Sequence, residues 1–124
     1  MTVTVFGIPN CDTVKKGRQW LLDHGIAHVF HDFKKLGVPE ALDDWCAALG
    51  TDVLVNKKGS TWRTLPEHLQ AQACDPKSAK DVMREHPSLI KRPVVAWAQG
   101  GSTLWSVGFD AKQWAELAHG FGAA

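Results

Sequence analysis

The stretch Val3-Thr4-Val5-Phe6-Gly7-Ile8-Pro9-Asn10-Cys11-Asp12-Thr13-Val14-Lys15-Lys16 constrains this chain more than any other. Its β-branched opening predicts a short strand, Gly7 and Pro9 break that strand, and the residues after Cys11 predict a helix. A cysteine therefore stands where a helix begins. The first helical turn carries unpaired N–H groups and roughly half a unit of positive charge. A thiolate placed there is stabilised by both, and such thiols ionise at pKa values of about 3.5 to 7.5. The pattern leaves Cys11 two fates: a reactive thiolate, or the buried structural cysteine that free thiols more commonly become.

From Asp12 to His24 the spacing of Val14, Gly17, Leu21 and Gly25, with Leu22 beside them, predicts an amphipathic helix. Asp12 suits its first turn and Gly25 its C-terminal stop. Gly17 costs about 1 kcal/mol relative to alanine in mid-helix, which predicts close packing against a neighbour. Ile26 to Phe33 is expected to be a second strand. Strand, helix, strand in this span is a βαβ unit with parallel strands and a right-handed crossover.

The middle third changes character. Gly37-Val38-Pro39-Glu40 is expected to open a helix, with Leu42, Trp45, Cys46 and Leu49 on its apolar face and Gly50 at its end. On that face Cys46 is expected to fill the core. Val53-Leu54-Val55 is a short apolar segment, and Asn56 to Arg63 is a polar loop holding Trp62, which either covers the thiol or packs the helical segment in place. Pro66 to Ala73 and Ser78 to His86 predict two more helices, separated by Cys74-Asp75-Pro76.

The last third returns to strands. Leu89 to Trp97 and Thr103 to Gly108, joined through Gly100-Gly101, predict a hairpin. Asp110 is expected to cap a terminal helix whose buried face is Trp114, Leu117 and Ala118. The order β-α-β, helical insert, β-β-α implies an α/β fold of thioredoxin-like type. Its mixed four-stranded sheet has helices on its faces and a helical insertion in the middle third. Residues 1–124 are expected to form one such domain, with 37–88 as the insertion.

Composition narrows the function classes. A chain that is 44% hydrophobic and 22% charged is an ordinary globular protein. A net charge of +1, with no basic run longer than Val14-Lys15-Lys16-Gly17-Arg18, argues against nucleic acid as partner. Met1 to Val5 reads as strand rather than signal peptide, and no apolar run approaches the ~18–20 residues of a membrane span. The expected location is the cytoplasm, where thiols stay reduced, so Cys11, Cys46 and Cys74 are not expected to form a disulfide framework. No C-x-x-C pair is present. His28 and His31 are three apart on a predicted strand, and His24 is separated from His28 by the Gly25 break, so no convergent metal site is expected.

The segment Ile8 to Lys16, together with His86-Pro87-Ser88-Leu89-Ile90-Lys91-Arg92-Pro93 and Val107-Gly108-Phe109, closely resembles the arsenate reductase-like (ArsC) family. Within that family the chain is nearest the YffB branch, with the Spx regulators as a sister branch. The resemblance implies that Cys11 is the nucleophile, that Arg92 sits beside it, and that Arg92–Pro93 is a cis peptide bond. Asn10, Thr13, Lys15, Lys57 and Pro93 are the positions it implies at the substrate. The residues alone leave Thr13 equally a first-turn hydroxyl bonding the local backbone. Arg92 alone reads as a surface arginine near a strand start, and Pro93 as an ordinary strand-start proline.

The sequence also departs from the family pattern. Lys15 and Gly108 stand where arsenate reductases carry arginines, Asn56-Lys57 stands where they carry Arg-Lys, and Val14 replaces a serine. An arseno-thiol intermediate needs several aligned cationic donors, and this set is thin. The expected activity is therefore a glutathione-coupled thiol oxidoreductase that works through one mixed disulfide, with no bound cofactor and glutathione as co-substrate. Its partners are expected to be glutathione or a small thiol or disulfide, with glutaredoxin as a further candidate. The alternatives are arsenate reduction and an Spx-like regulator that binds RNA polymerase.

Overall fold

The computed structural model describes residues 1–122, with side chains for 1–119; residues 123–124 of the expected domain lie outside them. The described chain divides into two compact units, one of residues 1–32 with 92–122 and one of residues 33–91. The helical unit is thus wider at both ends than the expected insertion of 37–88. Phe33 already begins a helix directly after the second strand, and Leu89 and Ile90 are buried.

In the first unit, β1 (Thr2–Gly7) leads into α1 (Asp12–Asp23) and β2 (His28–Asp32). β3 (Val94–Gln99) and β4 (Ser102–Val107) form the hairpin, and α8 (Ala111–Gly122) ends the unit. The sheet order is β2-β1-β3-β4. β1 runs parallel to β2 with Val3 beside His28, and antiparallel to β3 with Phe6 beside Val94. This is the mixed four-stranded, thioredoxin-like sheet expected from the sequence.

Alternation along the strands sends Val3, Val5, Val95 and Trp97 to one face, where they form a core with Leu21 and Trp114. Gly17 explains itself there: a Cβ on it would lie 2.6 Å from the Trp114 ring. Asp110 caps α8 as expected, accepting from the Gln113 N–H at 3.0 Å. Trp114 is fully buried, and Leu117 and Ala118 pack against the same cluster. Leu22, expected beside the apolar stripe, is 63% exposed.

The second unit holds α2 (Phe33–Leu36), α3 (Leu42–Leu49), α4 (Thr51–Leu54), α5 (Ser60–Thr64), α6 (Glu67–Cys74), α7 (Ala79–Glu85) and a 3₁₀ turn at Pro87–Leu89. Its interior includes Phe33, Leu42, Trp45, Leu54, Val82, Met83 and Leu89. Three expectations give way here. The Gly37–Glu40 segment is not helical, and α3 starts only at Leu42. The polar loop after Asn56 contains the short helix α5. Leu89 to Lys91 is not the start of β3: Pro87 turns the chain into a 3₁₀ helix, and Ile90 instead forms an isolated bridge with Val55. Two bonds flank that bridge, Asn56 N–H to the Leu89 carbonyl (2.9 Å) and Lys91 N–H to the Leu54 carbonyl (2.7 Å).

Candidate active site

Cys11 is the N-cap of α1. Its backbone is extended (φ −146°, ψ 121°), and its carbonyl already accepts from the Lys15 N–H at 3.0 Å. Gly7 makes the approach possible: a Cβ there would press to 2.9 Å of Val14, the buried residue of the first turn. The strand therefore passes close over α1 and delivers a half-buried cysteine at the helix start.

Burial works against ionising this thiol, yet its pKa is lowered. The Val14 N–H, the Arg92 guanidinium as donor and as positive charge, and the Thr13 N–H together outweigh the desolvation. Arg92 thus reaches the sulfur across the first unit, as the resemblance implied. It is half-buried, and its bond to Pro93 is cis. The Pro93 carbonyl accepts from the Gly108 N–H at 2.8 Å.

The other expected site residues divide by unit. Asn10, Thr13 and Lys15 are exposed around Cys11 on the loop and first turn of α1. Pro93 is buried behind Arg92. Lys57 belongs to the helical unit, where its ammonium stands 5.8 Å from the centre of the Trp62 ring. Trp62 is half-buried, and its carbonyl accepts from the Gln70 side-chain amide at 2.7 Å, a packing arrangement within that unit.

Sequence reasoning expected first-turn amides at Cys11 without singling out the Val14 N–H, and it missed the Gly108 N–H. Neither has a side-chain signature; the position of Val14 two residues into the helix, and a glycine between a strand and the Asp110 cap, were the available signs. Cys46, expected in the core, is only half-buried. It lines a cavity of about 590 Å³ in the helical unit with Asp43, Val53, Pro76 and Lys80. Its thiol is pushed up by burial, the reverse of Cys11. Cys74 is exposed at the end of α6.

Among the described residues, no three His, Cys, Asp or Glu side chains converge on a metal position. No helix among them is long and apolar enough to cross a membrane.

The ArsC family profile matches residues 6–117. An uncharacterized protein of Haemophilus influenzae is 43% identical over 113 residues, covering 90% of this chain and 95% of its own. The solved YFFB protein superposes with a TM-score of 0.82 at 41% identity, covering 93% of this chain and 97% of its own. An arsenate reductase (ArsC) related protein from Brucella melitensis does so with a TM-score of 0.70 at 43% identity, covering 92% of each chain. A strand that hands a cysteine to a helix start, faced by an arginine before a cis-proline, is thus embedded in a chain that matches along nearly its whole length, and this chain belongs to the ArsC family.

Proposed function

We propose that this chain is a thiol-based oxidoreductase in which Cys11 acts alone as nucleophile and glutathione supplies the second thiol. The observation that carries the reading is the lowered pKa of a half-buried Cys11 flanked by two helix amides and a guanidinium. The thiolate is the attacking form in thiol–disulfide exchange. Cys11 would attack the glutathionyl sulfur of a mixed disulfide. The Cys11–glutathione S–S bond forms, the original S–S bond breaks, and the substrate leaves as thiolate. A second glutathione thiolate then attacks that sulfur, releasing oxidised glutathione and restoring the Cys11 thiolate.

An external resolving thiol suits this site because the position three residues after Cys11 is the buried Val14. Arg92 and Lys15 supply charges for the carboxylates of the tripeptide, with Asn10, Thr13 and the Pro93 backbone as polar partners. Such a cycle requires the reducing pool of the cytoplasm. Exposure to oxidised glutathione followed by peptide mapping tests the reading. One glutathionyl group on Cys11 of the wild type, and none at the corresponding peptide of Cys11→Ser, is the expected result. An unmodified Cys11 would overturn it.

The family also brings arsenate forward as an oxidant of Cys11. Arg92 is the guanidinium seen acting on the sulfur, and an arseno-thiol adduct concentrates more negative charge than a mixed disulfide. The disulfide reading therefore stands first. Arsenate-dependent oxidation of glutathione by the wild type would reverse that order.

A further inference from the structure

We infer that Gly108 is a positioning residue for the Cys11 thiolate, acting through Pro93 and Arg92; the inference rests on the thiol-oxidoreductase reading above. Continuing the β3–β4 register past its last pair, Val94 with Val107, sets Pro93 opposite Gly108. Proline has no N–H, so it cannot donate at this rung of the ladder. The bond from the Gly108 N–H to the Pro93 carbonyl, 2.8 Å, is the tie that fixes this corner to β4. Arg92 precedes the corner directly, and its guanidinium is what favours the Cys11 thiolate from outside α1.

Gly108 makes that bond with φ +80°, a conformation that side-chain-bearing residues resist. A side chain at 108 therefore forces the backbone to move. The downstream side is stiff. Phe109 packs edge-on against the fully buried Trp114 at 4.8 Å, and Asp110 caps α8. Upstream, β4 is an edge strand paired only with β3, and its last residues are held as well: Ser106 is buried and accepts from the Trp97 indole N–H at 3.0 Å. With both flanks fixed, the change of φ falls on residue 108 itself, whose N–H carries the bond to Pro93.

The test is the pH dependence of alkylation at Cys11, followed on its own peptide in wild type, Gly108→Ala, Gly108→Asn, Arg92→Ala and the Arg92→Ala/Gly108→Ala double variant. Gly108→Ala is expected to move the profile to higher pH, slowing alkylation at neutral pH by up to about threefold. Gly108→Asn, which tolerates positive φ, is expected to shift it less in the same direction. In the Arg92→Ala background the alanine is expected to add nothing.

A Gly108→Ala profile equal to wild type overturns the inference, as does a shift that persists in full without Arg92. If Gly108→Ala does not fold, judged by tryptophan fluorescence, Gly108→Asn decides. A shift that vanishes without Arg92 supports the inference, and no shift overturns it. A wild-type Cys11 that titrates like a free thiol would instead remove the functional reading on which this inference stands.

Discussion

Arg92 and Cys11 lie far apart in the sequence, yet the guanidinium of one acts on the sulfur of the other both as a donor and as a charge. The sheet creates this meeting. β1 ends beside the start of β3, with Phe6 paired to Val94, so the loop leaving β1 and the residues entering β3 lie at the same end of the sheet. α1 then contributes its first amides from the same loop. Three separate donors converge on one atom, and their sum exceeds the cost of its partial burial.

Replacing Arg92 by alanine is expected to raise the Cys11 pKa, which leaves less thiolate at neutral pH and slows alkylation there by up to about tenfold. Arg92→Lys keeps a charge but not the planar fork, and should fall between. The pH profile of alkylation measures both; unchanged profiles would mean that the helix amides alone hold the thiolate.

Alkylation should also rank the cysteines. Burial raises the Cys46 thiol, with Asp43 adding to the rise and Lys80 and Arg84 opposing it. At neutral pH, peptide mapping after a short pulse of iodoacetamide should show Cys11 modified well ahead of Cys46. Equal labelling would contradict the environments described for both.

Gly17→Ala sets two magnitudes against each other. Alanine gains about 1 kcal/mol in helix propensity. Its Cβ, however, would stand 2.6 Å from the Trp114 ring. That ring is fully buried and held edge-on by Trp97 at 5.4 Å, Trp20 at 5.8 Å and Phe109 at 4.8 Å. Overpacking costs about 1–3 kcal/mol and wins, so urea unfolding followed by tryptophan fluorescence should show a lower midpoint.

Ser106→Ala should destabilise by about 1–3 kcal/mol, the cost of leaving a buried donor without a partner. The Trp97 indole N–H donates to the Ser106 hydroxyl at 3.0 Å, and both residues are buried. Chemical denaturation measures the loss.

His28 gives the fold a pH dependence of its own. The Arg18 Nε–H donates to His28 Nε2 at 3.2 Å, so that nitrogen must be unprotonated. Burial and then the Arg18 charge lower its pKa, partly opposed by the Ile26 backbone. The folded state therefore binds this proton less readily than the unfolded chain. The resulting stability is present above the unfolded value of about 6.5 and is lost as pH falls through the folded value. Urea midpoints at pH values on either side of that window should fall more for wild type than for His28→Gln.

Much of this site was legible in the sequence because its first half is local. A β-branched run, Gly7, Pro9 and the helical stripe from Val14 to Leu21 are enough to place Cys11 at a helix start, and Asp110 announces α8 in the same way. Arg92 was different. On its own it reads as a surface arginine, and only the resemblance of Ile8–Lys16 and His86–Pro93 to a known family set it beside Cys11. The errors share a cause too. Leu89 to Lys91 has strand composition, but Pro87 and the pairing with Leu54 to Asn56 decide its conformation, and pairing between distant segments leaves no local trace. Cys46 follows an apolar periodicity that fixes a helix face without fixing how deeply that face is covered.

The most direct measurement is the titration of the Cys11 thiolate in the wild-type protein, by its ultraviolet absorbance against pH with Cys11→Ser as the blank. Three donors on the sulfur predict a midpoint below the value of about 8.5 for an unperturbed cysteine. A midpoint at or above that value would contradict their convergence on Cys11.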